Sequence, residues 1–368
     1  MSYRTGKMGV AEGMALVFST SITSVFYSMW SVYLDHVANS AWLIPLISAG
    51  CFLAVFMLLL FVMERVPGDL YAVSETLLGR SGAWAVSAYL IAVFYADAVF
   101  TLRQFAENTL LTAIPELNIS MIMGSYVLMA AFVIYIGLEP IARGALLVLP
   151  FGIVALTLVI ILSGNKFHLY FLWPWIGNGI TALLKTGVPA TGSFIYALIL
   201  PIFAPAFQNI RTIRTATLFG IGLSTAFRTL IFFMYTGVFS TAAGRELVLP
   251  FYNLARIIYL NRFVQRVEAF FIILWAIFGL ALIAINLYVA LYLLTRLLDL
   301  PSMRPLILPM ALVAVQLALL PPDIATVIEM YHNYTAYIVA PGVFAIPMVL
   351  FIATLVKGRA KNKPCTAK

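Results

Sequence analysis

Apolar residues fall along this chain in long unbroken runs, with polar and charged positions gathered into short connections between them. A helix that is apolar all round faces lipid or a protein interior, and about 20 such residues cross the hydrocarbon of a bilayer. Ten runs meet that description, at 9–33, 41–63, 83–112, 120–138, 144–163, 180–204, 215–239, 267–297, 305–321 and 337–357. They predict an all-α polytopic membrane protein with about ten transmembrane helices. The third and eighth runs are long enough to tilt or protrude, and the ninth is short.

The sixth run departs from the pattern. Its segment "TGVPATGSFIYALILP" (186–201) opens with glycines, a proline and three hydroxyl residues. The first run carries its own hydroxyl cluster, Ser19, Thr20, Ser21, Thr23 and Ser24. At similar depth the two runs read "TSVFYS" (23–28) and "GSFIYA" (192–197), a small residue, serine, two apolar residues and tyrosine. Non-helical backbone is tolerated at membrane depth only against protein or a cavity. Ten spans divide into 9–163 and 180–357, and an odd number in each set inverts the second relative to the first. Inverted repeats place a midplane site at their discontinuous helices. A ligand site is therefore expected at Ser19, Thr20, Thr23, Ser24 and Tyr27 on helix one, with Thr191, Gly192, Ser193 and Tyr196 on helix six. Gly192 lacks a side chain, so a ligand can approach its backbone, and valine there should block the ligand while leaving the fold intact. Close helix packing through small residues is the competing explanation.

Three connections have a character of their own. Residues 64–82 read as an amphipathic helix at the interface, and 165–179 form an aromatic headgroup-level loop. Residues 244–268 set Arg256, Arg262 and Arg266 among apolar positions, as an interfacial helix does. No linker separates soluble units, so 1–368 is expected to be one membrane domain with a basic tail at 358–368.

Composition agrees: 63% of residues are hydrophobic and 10% charged, and the mean hydropathy is +1.03. A soluble chain of this size would need far more charge on its surface. The net charge of +8 follows from topology. With the N-terminus inside, fourteen basic residues fall in cytoplasmic segments, from Arg4 and Lys7 to Lys368. Five fall outside: Lys166, Arg245, Arg256, Arg262 and Arg266. The positive-inside rule then places both termini in the cytoplasm. The first run is too long for the core of a cleavable leader, so none is expected. Cys51 and Cys365, with three scattered histidines, offer no disulfide framework and no metal site. No nucleophile–base pair, phosphate loop or cofactor motif appears, and no catalysis is expected.

Ionisable groups at mid-bilayer are costly and point to function. Asp97 and Arg228 lie near the centres of runs three and seven. Arg103 and Glu107, at i and i+4, suit a structural clasp along one helix face. Lys185 is near enough to the end of its run to snorkel, and Glu12 and Glu268 stand close to span ends.

Several stretches resemble the B-subunit family of spore germinant receptors, a branch of the amino acid–polyamine–organocation transporter superfamily. They are "GLEPIARGALLVLPFGIV" (137–154), "LPFYNLARIIYLNRFVQRVEAFFIILW" (249–275), "LRQFAENTLL" (102–111) and, more loosely, "PGDLYAVSETLLGRSG" (67–82). The resemblance implies a ten-helix fold of the leucine-transporter kind in the inner membrane of a bacterial spore. It implies a nutrient-sensing subunit working with a larger membrane A-type subunit and a lipoprotein C-type subunit. In that fold helix three lines the cavity, so Asp97 could meet a ligand ammonium, bind a proton or pair with Arg228. Residues 18–30 contain none of the glycine that related transporters usually carry at the break of helix one. The leading expectation is a small molecule, an amino acid above all, bound between helices one and six with help from three and eight. A proton-coupled amino acid transporter and a structural subunit with a vestigial cavity are the alternatives.

Overall fold

The structure is a computed structural model that describes residues 7–27, 29–259 and 268–361. Arg4, Ser28, Arg262, Arg266, Lys363, Cys365 and Lys368 lie outside the described residues, as does most of the basic tail. Eight helical stretches are long and apolar enough to cross a membrane, and two shorter apolar helices, Val10–Phe26 and Arg304–Ala318, accompany them. Among the described residues these make ten passes.

Span one is an α-helix over Val10–Ile22, a 3-10 turn over Thr23–Phe26 and a second α-helix over Met29–Val37. Span two is Ile44–Arg65, span three Leu70–Thr112, span four Ile119–Ile136 and span five Leu138–Leu162. Span six combines Ile180–Gly187, a 3-10 stretch over Pro189–Leu198 and a last turn at Ile199–Ile202. Span seven is Ile210–Glu246, span eight Glu268–Leu297 and span nine Arg304–Ala318. Span ten runs as Ile324–Tyr334, a π-helical turn over Thr335–Val339 and Ala340–Lys361.

Alternate connections meet at opposite ends of the bundle. At one end Met8 donates its backbone N–H to Ala206 at 2.8 Å, Lys357 reaches the Thr76 carbonyl at 2.6 Å, and Arg296 pairs with Asp69. At the other, Asn178 donates to the His36 carbonyl at 2.9 Å and Arg245 lies 3.2 Å from Asp35. An odd or missing pass would break this alternation. The first end holds most of the basic connections and is called the basic end below.

Span three does not run straight from its start. Gly79 sits at φ 79°, and the segment Leu70–Leu78 turns away there, as the amphipathic reading of 64–82 anticipates. Asp69 caps this segment by accepting from the Ala72 N–H at 2.9 Å. In the 244–268 connection, Pro250–Arg256 form a short helix; the remainder of that expected interfacial helix lies largely outside the described residues.

Span one packs along span seven, and span eight along span three. Span six is the interior element: 78% of its apolar window is buried, against 33% for spans four and five, which face outward. That burial permits its irregular backbone. Pro189 removes a donor, and the chain tightens into i→i+3 bonding, with every residue from Ala190 to Leu198 buried.

Candidate ligand-binding site

The α-helix of span one ends where its hydroxyl residues turn back on it. Thr20 donates to Leu16 O at 2.8 Å, Thr23 to Ser19 O at 2.6 Å and Ser24 to Ser21 O at 2.9 Å. Such bonds compete with the helical ladder and favour a break. Tyr27 follows in extended conformation, at φ −80° and ψ 152°. The Phe26 carbonyl left without a helical donor receives the Asn108 amide at 3.3 Å from span three. The π-helical turn of span ten is served in the same way, with Tyr89 donating to Ile338 O at 2.7 Å. Broken backbone at this depth is paired by side chains of span three.

Two polar assemblies occupy the interior around these breaks. The first centres on Asp97, which is 3% exposed. Its Oδ2 accepts from Tyr196 of span six at 2.7 Å and from Asn286 of span eight at 2.6 Å. Its Oδ1 accepts from Tyr331 of span ten at 3.4 Å. Beside it the Tyr27 hydroxyl pairs with Thr101 at 2.7 Å, and the Tyr27 ring meets Tyr331 edge-on at 5.0 Å. One carboxylate thus ties spans three, six, eight and ten together.

The second is a small closed chamber of about 10 Å³. Its walls are Ser24, Tyr27, Met29, Trp30 and Tyr33 of span one, Ser193 of span six, Arg228 and Phe232 of span seven, and Tyr331 and Thr335 of span ten. Arg228 is 2% exposed; it donates through Nη2 to Ser193 Oγ at 3.0 Å and lies over the Phe194 ring at 4.5 Å. Met29, Tyr33 and Thr335 also line a larger vestibule of about 330 Å³, together with His36, Lys185, Pro189 and His332. The vestibule lies toward the end opposite the basic one. The His36 and His332 rings stack across it with centroids 5.7 Å apart.

Of the residues expected to bind a ligand, Ser24, Tyr27 and Ser193 line the chamber. Asp97 and Tyr196 adjoin it through Tyr331. Thr20 and Thr23 bond to their own helix backbone. Ser19 lines a separate apolar cavity near spans four, five and eight. Thr191 is buried away from the chamber walls. A Cβ on Gly192 would stand 2.7 Å from the Thr335 carbonyl oxygen and 3.1 Å from the Ala340 nitrogen. The glycine therefore admits span ten against span six, which is the packing explanation, and a valine there would strain the fold.

Asp97 and Arg228 form no ion pair; each has the partners given above. The Arg103–Glu107 clasp is present at 2.8 Å, and Arg103 also donates to the Ala318 carbonyl at 3.4 Å, fastening the end of span nine. Lys185 faces the vestibule.

Trp30, Tyr33, Asn286, Tyr331 and Thr335 were not singled out by the sequence reading. Asn286 had a visible signal, an amide within "IAINLYVA" (283–290). Tyr331 and Thr335 lie before the apolar run at 337–357, yet helix begins at Ile324. The mixed composition of that first segment, Ile324–Tyr334, hid it.

Residues 7–327 match the family model described as spore germination protein. The chain belongs to the spore germination protein family. Among curated proteins it is 24% identical to spore germination protein YndE of Bacillus subtilis over 78% of this chain and 80% of that one. It is 22% identical to spore germination protein A2 of the same organism, over 97% and 98%. Solved structures share the fold. A Na+-coupled sialic acid symporter superposes with TM-score 0.56 at 12% identity, covering 97% of this chain and 90% of the symporter. A manganese transporter of Eremococcus coleocola in complex with an aromatic bis-isothiourea substituted compound gives 0.61 at 12%, covering 93% and 77%. The fold is of the leucine-transporter kind, with spans one and six discontinuous. This family member is an integral, permease-like membrane protein and not an enzyme.

Proposed function

We propose that the chain is the nutrient-sensing subunit of a spore germination receptor, and that it binds a small molecule, an amino acid, between spans one and six. The observation that carries this reading is the small chamber at the two helix breaks, walled by Arg228 and Ser193 among aromatic side chains, next to a vestibule at the end away from the basic connections. Under the positive-inside rule the basic end is cytoplasmic, so the vestibule would face the outer side of the spore inner membrane. Both termini would be cytoplasmic. Family membership supports a receptor context with a larger A-type membrane subunit and a C-type lipoprotein. Residues 9–163 and 180–357 are proposed as the two inverted repeats, because the first span of each is the broken one. A ligand shifts such a bundle only by binding one of its states more tightly.

The buried carboxylate of Asp97 on span three favours a second reading, a proton-coupled amino acid transporter. Thermal unfolding of the purified subunit against amino acids, sugars and nucleosides tests sensing, and uptake into proteoliposomes under a proton gradient tests transport. A protein stabilised by an amino acid but idle in uptake is a sensor. Concentrative uptake would move the assignment to transport, and no stabilisation by any small molecule would remove the ligand-binding role.

A further inference from the structure

Arg228 is a buried cation with no ion-pair partner among the described residues. Both oxygens of the nearby buried acid Asp97 are occupied by Tyr196, Asn286 and Tyr331. Its Nη2 is used on Ser193, whose own hydroxyl donates to the Ala190 carbonyl at 2.8 Å. Its Nε and Nη1 have no acceptor. Two other chamber groups are in the same position, Trp30 Nε1 and Thr335 Oγ1, both buried and unpartnered. Of the other four hydroxyls of the wall three are engaged, Ser24 with Ser21, Tyr27 with Thr101 and Tyr331 with Asp97, and the fourth is that of Tyr33.

The charged and donor-only groups left unsatisfied around this chamber are the Arg228 guanidinium and the Trp30 indole, while the hydroxyls of Thr335 and Tyr33 can donate or accept. An indole N–H and a guanidinium cannot accept at all, and burying them without acceptors is costly. A neutral polyol or nucleoside could accept some of these bonds and would leave the positive charge uncompensated. A carboxylate supplies charge and acceptors together, and the planar guanidinium matches it two bonds at a time. Phe194 beneath the guanidinium holds its plane.

We propose that Arg228 receives the carboxylate of the sensed molecule, with Trp30 and Thr335 as further donors, and that the ligand class is a small carboxylic acid. The proposal rests on the ligand-sensing reading above. At about 10 Å³ the chamber has room for about one water. Seating a carboxylate moves the partition of Met29, Tyr33 and Thr335, and the rest of the ligand occupies the 330 Å³ vestibule. The acid end enters first.

The test uses the purified full-length subunit in lipid nanodiscs, with binding followed by thermal shift and calorimetry. The probes are L-alanine, L-valine and L-phenylalanine, each beside its primary amide, with glucose and inosine. The amide keeps the ammonium group and the side chain but has lost the negative charge. At least one acid is expected to bind wild type, with its amide about 10- to 100-fold weaker. Arg228→Gln is expected to lose the preference for acid over amide, and Arg228→Lys to keep part of it. Equal binding of acid and amide by wild type would sink the docking role of Arg228 while leaving ligand sensing in place. An intact preference in Arg228→Gln would do the same. Binding of glucose or inosine with no response to any acid overturns the carboxylate assignment, and silence toward every probe overturns both readings. If Arg228→Gln does not accumulate, the acid–amide comparison on wild type and the Arg228→Lys variant still decide.

Discussion

Asp97 and Arg228 share one polar interior and are equally hidden from solvent, yet their surroundings differ in kind. The carboxylate is met by three donors from three other spans. The guanidinium has one hydroxyl and one ring face. Burying a charge is tolerable where hydrogen bonds replace its hydration and costly where they do not. A satisfied buried charge holds elements together; an unsatisfied one keeps a binding capacity in reserve. On that distinction Asp97 ties the bundle together, and Arg228 is the group we propose for a ligand.

The largest effect should come from removing the tether. Asp97→Ala strands Tyr196, Asn286 and Tyr331 and should lower stability by about 3–5 kcal/mol, read as thermal unfolding of purified protein and as reduced membrane level. A stable Asp97→Ala that has lost only its ligand response would reverse the roles of the two charges.

Next comes the contact that lets spans six and ten converge on both assemblies. Gly192→Val should cost about 2–3 kcal/mol, since the nearest obstructing atom is a backbone carbonyl oxygen of span ten and a backbone nitrogen stands close behind it. A normally stable valine variant with a lost germination dose–response would place Gly192 at the ligand instead.

The Arg103–Glu107 clasp provides a third kind of buried charge, one paired within its own helix. Arg103→Ala should destabilise by about 2 kcal/mol, by leaving Glu107 unpaired and span nine unfastened. Adding Glu107→Ala should recover part of that loss, whereas strict additivity in a double-mutant cycle would show that each has a different partner.

The smallest change is expected where the charge is least compensated. Arg228→Met should leave the ligand-free protein within about 1 kcal/mol of wild type, or more stable, by the same unfolding assay. A loss as large as that of Asp97→Ala would make Arg228 a second tether and dissolve the contrast.

Much of the architecture was legible in the residues themselves. Runs of apolar residues fix the number of passes because lipid cannot satisfy backbone or charge, a constraint that acts on each segment separately. The breaks in spans one and six were visible as well, since proline, glycine and clustered hydroxyls disturb a helix wherever it is placed. The i,i+4 spacing of Arg103 and Glu107 placed them on one helix face before any packing was known.

The chemistry of the interior was decided only by tertiary structure. Asp97, Arg228, Trp30, Asn286 and Tyr331 stand on five different spans, and no local pattern states which of them meet. Nor could the sequence distinguish the two roles of a small residue: Ser193 lines the chamber, while Gly192, its neighbour, faces the carbonyl of Thr335. One position along a tight 3-10 turn rotates a side chain by about a third of a circle. The sequence by itself thus determined how the chain crosses the membrane and where it breaks, through interactions local to each segment. Which buried charge is satisfied and which remains available depends on donors brought together from distant spans, and only their packing decided that.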